Sequence, residues 1–205
     1  MERPCPSPVD TYELEWVVED LYRRAGAQAG DVWAPSELAR RILGREAIVL
    51  VRGLAPRALL AEVDEPSGWV VRVRRGLPLP IEEWSIGHEL AHLAGVVDER
   101  AADYIGAAIQ MRRAPFLVAM AEHGEAWHEL AERFGTTSTS AALRAAELEQ
   151  RALAVVTPQR VYARHIHAAP EEVRALARHG GPGIRRARLE DAPKRIVLEA
   201  DEETG

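Results

Sequence analysis

The sequence predicts an α+β fold, with a small, mostly antiparallel sheet packed on a group of helices. Three observations predict it. Apolar residues recur at helical spacing near the N-terminus, short β-branched runs follow, and Ala-rich helical segments fill the middle of the chain. A chain of 205 residues, 47% hydrophobic and 28% charged, suffices for one well-cored domain with an appendage or for two small ones.

Residues 1–10 read as a flexible leader. From Thr11 to Ala25, Leu14, Trp16, Val17, Val18, Leu21 and Tyr22 mark an amphipathic helix. Ala34-Pro35-Ser36 opens a second, Glu37 to Leu43, which Gly44 closes. Ala47–Val51, Leu59–Val63 and Trp69–Arg74 read as strands, the last two separated by the turn Glu65-Pro66-Ser67-Gly68. A central helix is expected from Ile81 or Glu82 to Ala94, with Gly95 as its stop. Asp98 suits the N-cap of the next helix, Glu99 to about Met111. Then come Glu125–Phe134 as helix, a polar turn, and Ala141–Val155 as helix. Pro170-Glu171-Glu172 starts a short helix, Gly180-Gly181-Pro182-Gly183 reads as a linker, and Arg195–Glu199 as a terminal strand.

Composition excludes several function classes. A net charge of −6 argues against general binding to nucleic acid or anionic membranes. Cys5, the single cysteine, has no internal disulfide partner and lies in the Pro-rich Arg3-Pro4-Cys5-Pro6-Ser7-Pro8. It reads as an inert tail thiol. The N-terminus lacks a secretory pattern, and no apolar run reaches membrane-spanning length. A cytoplasmic protein without membrane contact is therefore expected.

The chemistry concentrates in Ser85-Ile86-Gly87-His88-Glu89-Leu90-Ala91-His92. Two histidines four apart on a helix share one face, close enough for their ring nitrogens to hold one metal ion. Glu89 points about a quarter-turn away and reaches a water at the metal rather than the metal itself, which suits a general base. The surrounding residues are uncharged, so burying two imidazoles and a carboxylate there is costly unless something uses them. The bland alternative is a pair of satisfied core histidines. A third ligand is needed, and Glu99 stands seven positions beyond His92, after a turn at Gly95 that can fold the next helix alongside. Asp98 and Asp103 stand as the other acids for that role. Asp103, one turn on from Glu99, also suits a hydrogen bond to the second ring nitrogen of a liganded histidine. Both Glu99 and Asp103 would equally suit the helix dipole with no metal at all.

These segments resemble the ImmA/IrrE family of metallopeptidases, with a zincin core of gluzincin type, over roughly residues 12–150. The resemblance rests on the helical pair and small sheet, on Ile86-Gly87-His88-Glu89-Leu90-Ala91-His92, and on Glu99-Arg100-Ala101-Ala102-Asp103 running to Met111. Two later helices, around Trp127–Phe134 and Ala141–Leu148, resemble a helix-turn-helix. The His92–Glu99 link is short for the family, Arg112 replaces a frequent proline and Asp103 a frequent asparagine. The resemblance implies a zincin-like domain at 11–120, a helix-turn-helix-like segment at 121–160 and a C-terminal extension at 161–205. It implies Zn²⁺, or Mn²⁺ in its place, held by His88, His92 and Glu99, with Glu89 as the catalytic acid/base. It further implies a protein substrate, typically a helix-turn-helix repressor cut once to switch on a stress or mobile-element response.

Other residues carry weaker signals. His123, His128 and Tyr104 have the chemistry to stabilise an oxyanion but suit packing or surface roles equally well. Arg164-His165-Ile166-His167 lacks acids or cysteines at ligand spacing. Arg185-Arg186-Ala187-Arg188, beside Lys194 and Arg195, reads as a solvated face or a dock for an acidic partner. The second helix-turn-helix-like helix carries Arg144 among Glu147 and Glu149, so direct nucleic-acid binding is not expected. The competing classes are a non-catalytic interaction protein on a zincin scaffold and a toxin–antitoxin component.

Overall fold

The computed structural model describes residues 8–62, 68–166, 168–181, 184–189 and 192–200. The chain divides into two compact units. One runs from the N-terminal helix through Phe116 and takes in Phe134–Thr136; the other comprises Leu117–Arg133 and the residues from Thr137 onward. The fold is α+β, as the alternation of periodicities predicts.

In the first unit, α1 (Pro8–Arg24) starts inside the expected leader, with proline at its first position, where no intrahelical N–H is needed. It buries Val18, Leu21 and Tyr22. Helix α2 (Pro35–Leu43) has no side-chain cap from its own Ala34. The buried Glu83 does that work instead, accepting the Ser36 N–H at 2.8 Å and the Ser36 hydroxyl at 2.7 Å. A carboxylate at a helix N-terminus satisfies orphan donors and complements the dipole.

Strands β1 (Ile48–Val51), β2 (Ala58–Glu62) and β3 (Trp69–Arg74) form a sheet in the order β1-β3-β2. β2 runs antiparallel to β3, but β1 runs parallel to it. The expected mostly antiparallel sheet is thus mixed. The link from Arg52 to Arg57 carries the chain past the place β3 will occupy, so β1 and β2 never pair. The middle strand buries Val70, Val71 and Val73, as a strand covered by neighbours must. The turn read at Glu65-Pro66-Ser67 lies outside the described residues.

Helix α3 (Leu79–Leu93) crosses β2, and α4 (Glu99–Gln110) returns beside it. Ile86, Leu90 and Ala91 of α3 join Ala102, Ile105, Ala108 and Ile109 of α4 in one core with the sheet. The two helices come into backbone contact at Gly87 and Gly106. A Cβ on Gly87 would lie 3.0 Å from the Gly106 Cα and carbonyl oxygen, and one on Gly106 would lie 3.0 Å from the His88 nitrogen and Trp84 oxygen. Asp98 caps α4 as expected, its Oδ1 accepting the N–H groups of Arg100 (3.0 Å) and Ala101 (2.9 Å). Arg112, just past α4, is an anchor. Its guanidinium donates to Glu19 and to the carbonyls of Gln28 and Asp31.

The sequence did not anticipate α5 (Arg113–His123). In the second unit α6 (Trp127–Arg133) and α7 (Ser138–Glu149) pack together. Expected to reach Val155, α7 stops at Glu149 because Gln150 adopts a left-handed conformation (φ 56, ψ 33) and donates to Ala146 O. The apolar run beyond it is β4 (Leu153–Val156), buried at every position. It pairs with β5 (Val161–Arg164) on one side and β7 (Ala192–Ala200) on the other, with β6 (Ile184–Leu189) at the far edge. Pairing across residue 160 joins the expected helical segment and C-terminal extension in one sheet. A run buried on both sides loses the alternation that betrays a strand. Helix α8 (Pro170–His179) covers this sheet through Val173 and Ala177. Cys5, His167, Pro182 and Gly183 lie outside the described residues, and no helix among the described residues is long and apolar enough to cross a membrane.

Gly106→Ala tests the close approach. Helix propensity alone favours alanine by about 1 kcal/mol, whereas overpacking against backbone costs about 1–3 kcal/mol. Urea unfolding is expected to show net destabilisation of up to about 2 kcal/mol; a stabilised variant would mean the helices have room to spare.

Candidate metal centre

The spacing of His88 and His92 does what one helical turn dictates. Their rings meet edge to face with centroids 4.8 Å apart and their Nε2 atoms 3.1 Å apart. The outer nitrogens are each held. His92 Nδ1 lies 2.7 Å from the carbonyl oxygen of Val96, and His88 Nδ1 lies 2.9 Å from Oδ1 of Asp103. A carbonyl oxygen only accepts, so His92 Nδ1 carries the proton; the Asp103 carboxylate assigns the same tautomer to His88. In the neutral rings both Nε2 lone pairs therefore face one point.

Glu99 faces that point too. Its carboxylate oxygens lie 3.4 Å from His88 Nε2 and 3.7 Å from His92 Nε2. One atom from each of the three residues falls within 4.8 Å of the others. Three electron-pair donors so arranged repel one another unless a cation or proton lies between them. Tetrahedral zinc ligands, at about 2.0–2.1 Å from the ion, stand roughly 3.3 Å apart. The observed spacings bracket that value, so the donor set fits a three-ligand site with one position left for water or substrate.

Of the three acids weighed for the third ligand, two are otherwise engaged. Asp98 caps α4, and Asp103 serves the far side of His88. Glu99, the first residue of α4 and largely exposed, is the acid that faces both Nε2 atoms. Asp103 also acts electrostatically. Its hydrogen bond, more than any other influence, holds the His88 imidazole above its ordinary pKa, with burial opposing the shift. Trp84, one turn before His88, leans its ring on the imidazole (centroids 5.5 Å apart) and donates its indole N–H to Asp103 O at 3.3 Å.

Glu89 is buried (8% exposed), and its Oε2 accepts the Leu60 N–H at 2.8 Å. Leu60 lies on β2, the edge strand, so the sheet itself orients this carboxylate. A cavity of about 440 Å³ opens over the cluster, with Arg57, Ala58, Leu59, Trp84, Glu89 and Glu99 among its lining residues.

The remaining candidates are elsewhere. Tyr104 is buried and donates its hydroxyl to Glu15 at 2.5 Å. In the second unit, His123 Nδ1 lies 2.7 Å from Glu129, and His128 lies 3.4 Å from Glu132. Arg164 pairs with Glu147, and Arg185 with Glu125. Arg144 is buried within α7. The sequence reading missed Val96 O, Leu60 N–H, Trp84 and Arg57. Trp84, one turn from His88, was legible from helical spacing; the two backbone groups leave no mark in side-chain patterns.

No family model matches the chain, and no curated protein matches it. Solved structures do. A Mycobacterium tuberculosis transcriptional regulator superposes with a TM-score of 0.62 at 16% identity, covering 96% of this chain and 81% of that one. At that identity the likeness is one of fold.

Asp103→Asn tests the support of His88 in metal-free protein. A raised folded-state pKa means that protonation stabilises the fold. That contribution is complete below the unfolded value near pH ~6.5 and fades as pH rises through the higher folded value. The variant is expected to bring the His88 midpoint down in an NMR titration and to lose more stability at about pH 5.5 than at about pH 8.5. An unchanged midpoint would remove Asp103 from this role.

Proposed function

We propose that the protein is a zinc-dependent metallo-endopeptidase of the ImmA/IrrE type, hydrolysing a peptide bond in a specific protein substrate. The observation that carries this reading is the convergence of His88 Nε2, His92 Nε2 and the Glu99 carboxylate beside the separately held carboxylate of Glu89. His88, His92 and Glu99 would hold the ion. A bound divalent cation supplies a positive centre that acidifies water and polarises a carbonyl. The chain's own groups do the rest. Val96 O and Asp103 fix the imidazoles so that Nε2, not Nδ1, faces inward. Glu89, steadied by the Leu60 N–H, takes a proton from water and returns it to the departing amine.

The substrate we favour is a helix-turn-helix repressor, which follows from the family resemblance. Recognition would then be of protein rather than DNA, because α7 is buried along most of its length and its Arg144 with it. A second reading, a regulatory protein that keeps this scaffold without catalysis, draws support from the name of the mycobacterial structure, a transcriptional regulator. A buried carboxylate lining the same cavity as the cluster favours the enzyme.

Glu89→Gln separates the two. The enzyme reading expects zinc to be retained while cleavage of the helix-turn-helix protein encoded beside it falls by about 10²–10⁴-fold. Unchanged behaviour in the variant would favour the interaction protein. His92→Ala is expected to lose stoichiometric zinc by metal analysis, and its retention would contradict the site.

A further inference from the structure

Arg57 has no part in the chemistry so far described, yet it lines the same cavity as Glu89 and the two histidines. Its guanidinium carbon lies 5.6 Å from the centroid of the Trp84 ring, and that ring lies 5.5 Å from the ring of His88. Two ring spacings thus separate the cation from the metal cluster. Trp84 is itself fixed by its bond to Asp103 O, so the cation rests on an ordered surface. No carboxylate pairs with Arg57 among the described residues. The other charged groups lining the cavity are committed: Glu99 faces the two imidazoles, and Glu89 is tied to Leu60.

Position along the strand sets the reach. Arg57 immediately precedes β2 and stands three residues before Leu60, whose N–H holds Glu89. At about 3.3 Å per residue that is roughly 10 Å, the length of three residues of extended peptide. We propose that Arg57 makes the cleft selective for substrates carrying a carboxylate side chain within about three residues of the bond that is cut. The guanidinium fork receives a carboxylate in bidentate fashion, which a carboxamide of equal size cannot match. The inference rests on the peptidase reading, and its test keeps the two apart.

The probes are acetohydroxamate and three pairs of short peptidyl hydroxamates. Each pair differs by Asp or Asn at the first, second or third residue from the chelating group. They are titrated calorimetrically into the zinc-loaded full-length protein. The expected result is an Asp preference of about fivefold at one position, weakened in about 0.5 M salt. Arg57→Gln should abolish it and Arg57→Glu reverse it, with acetohydroxamate affinity unchanged in both. Equal affinity for Asp and Asn at all three positions overturns the role of Arg57, as does a preference that survives in Arg57→Gln. Failure of acetohydroxamate to bind the wild type overturns the metal reading, and this inference with it.

Discussion

The contact between Gly87 and Gly106 governs what the candidate site can be. Helix packing with ordinary side chains holds axes about 8–10 Å apart. Two facing glycines let α3 and α4 touch backbone to backbone at 3.0 Å from any added Cβ. Gly87 directly precedes His88, and Gly106 lies one turn beyond Asp103, so this close approach coincides with the cluster. That proximity lets Asp103 reach His88 Nδ1 and brings Glu99 over both Nε2 atoms. Wider spacing would carry the carboxylates of α4 away together.

The cluster is built from electron-pair donors, and its neighbours decide which atoms face inward. Val96 sits just past the end of α3, where the chain turns at Gly95, and its carbonyl takes the His92 proton. Asp103 does the same for His88 from the facing helix. Neither contact touches the point of convergence, yet both determine that it is lined by lone pairs. Glu89 differs in kind. Held by a backbone N–H of the edge strand, it lies beside the cluster rather than within it. Two carboxylates thus occupy different environments, Glu99 exposed and Glu89 buried.

The legible parts were those written in local periodicity. His88, Glu89 and His92 follow from helical spacing. Asp98 was legible as a cap, and Asp103, one turn beyond Glu99, as a partner for one of the two histidines; only the structure shows that it is His88. What the sequence hid were contacts made by backbone at long range: Leu60 N–H on Glu89, and the Gly87–Gly106 approach. The Glu83 cap of α2 was hidden for a related reason, since its partner Ser36 lies 47 positions away. In the C-terminal unit the missed sheet has a different cause. β4 is apolar throughout and follows an Ala-rich helix without a glycine or proline between them. The left-handed turn at Gln150 is a conformation few non-glycine residues adopt. β1 lies parallel to β3 because of where the chain goes between strands, which composition does not record.

The central claim is that two imidazoles one turn apart and the first acid of the following helix share a single divalent ion. X-ray absorption at the zinc edge of the purified, gel-filtered protein tests it most directly. The account predicts one zinc per chain, with a first shell of nitrogen and oxygen at about 2.0–2.1 Å and outer scattering from two imidazoles. Protein that carries no zinc after reconstitution, or a shell with fewer than two imidazoles, would contradict it.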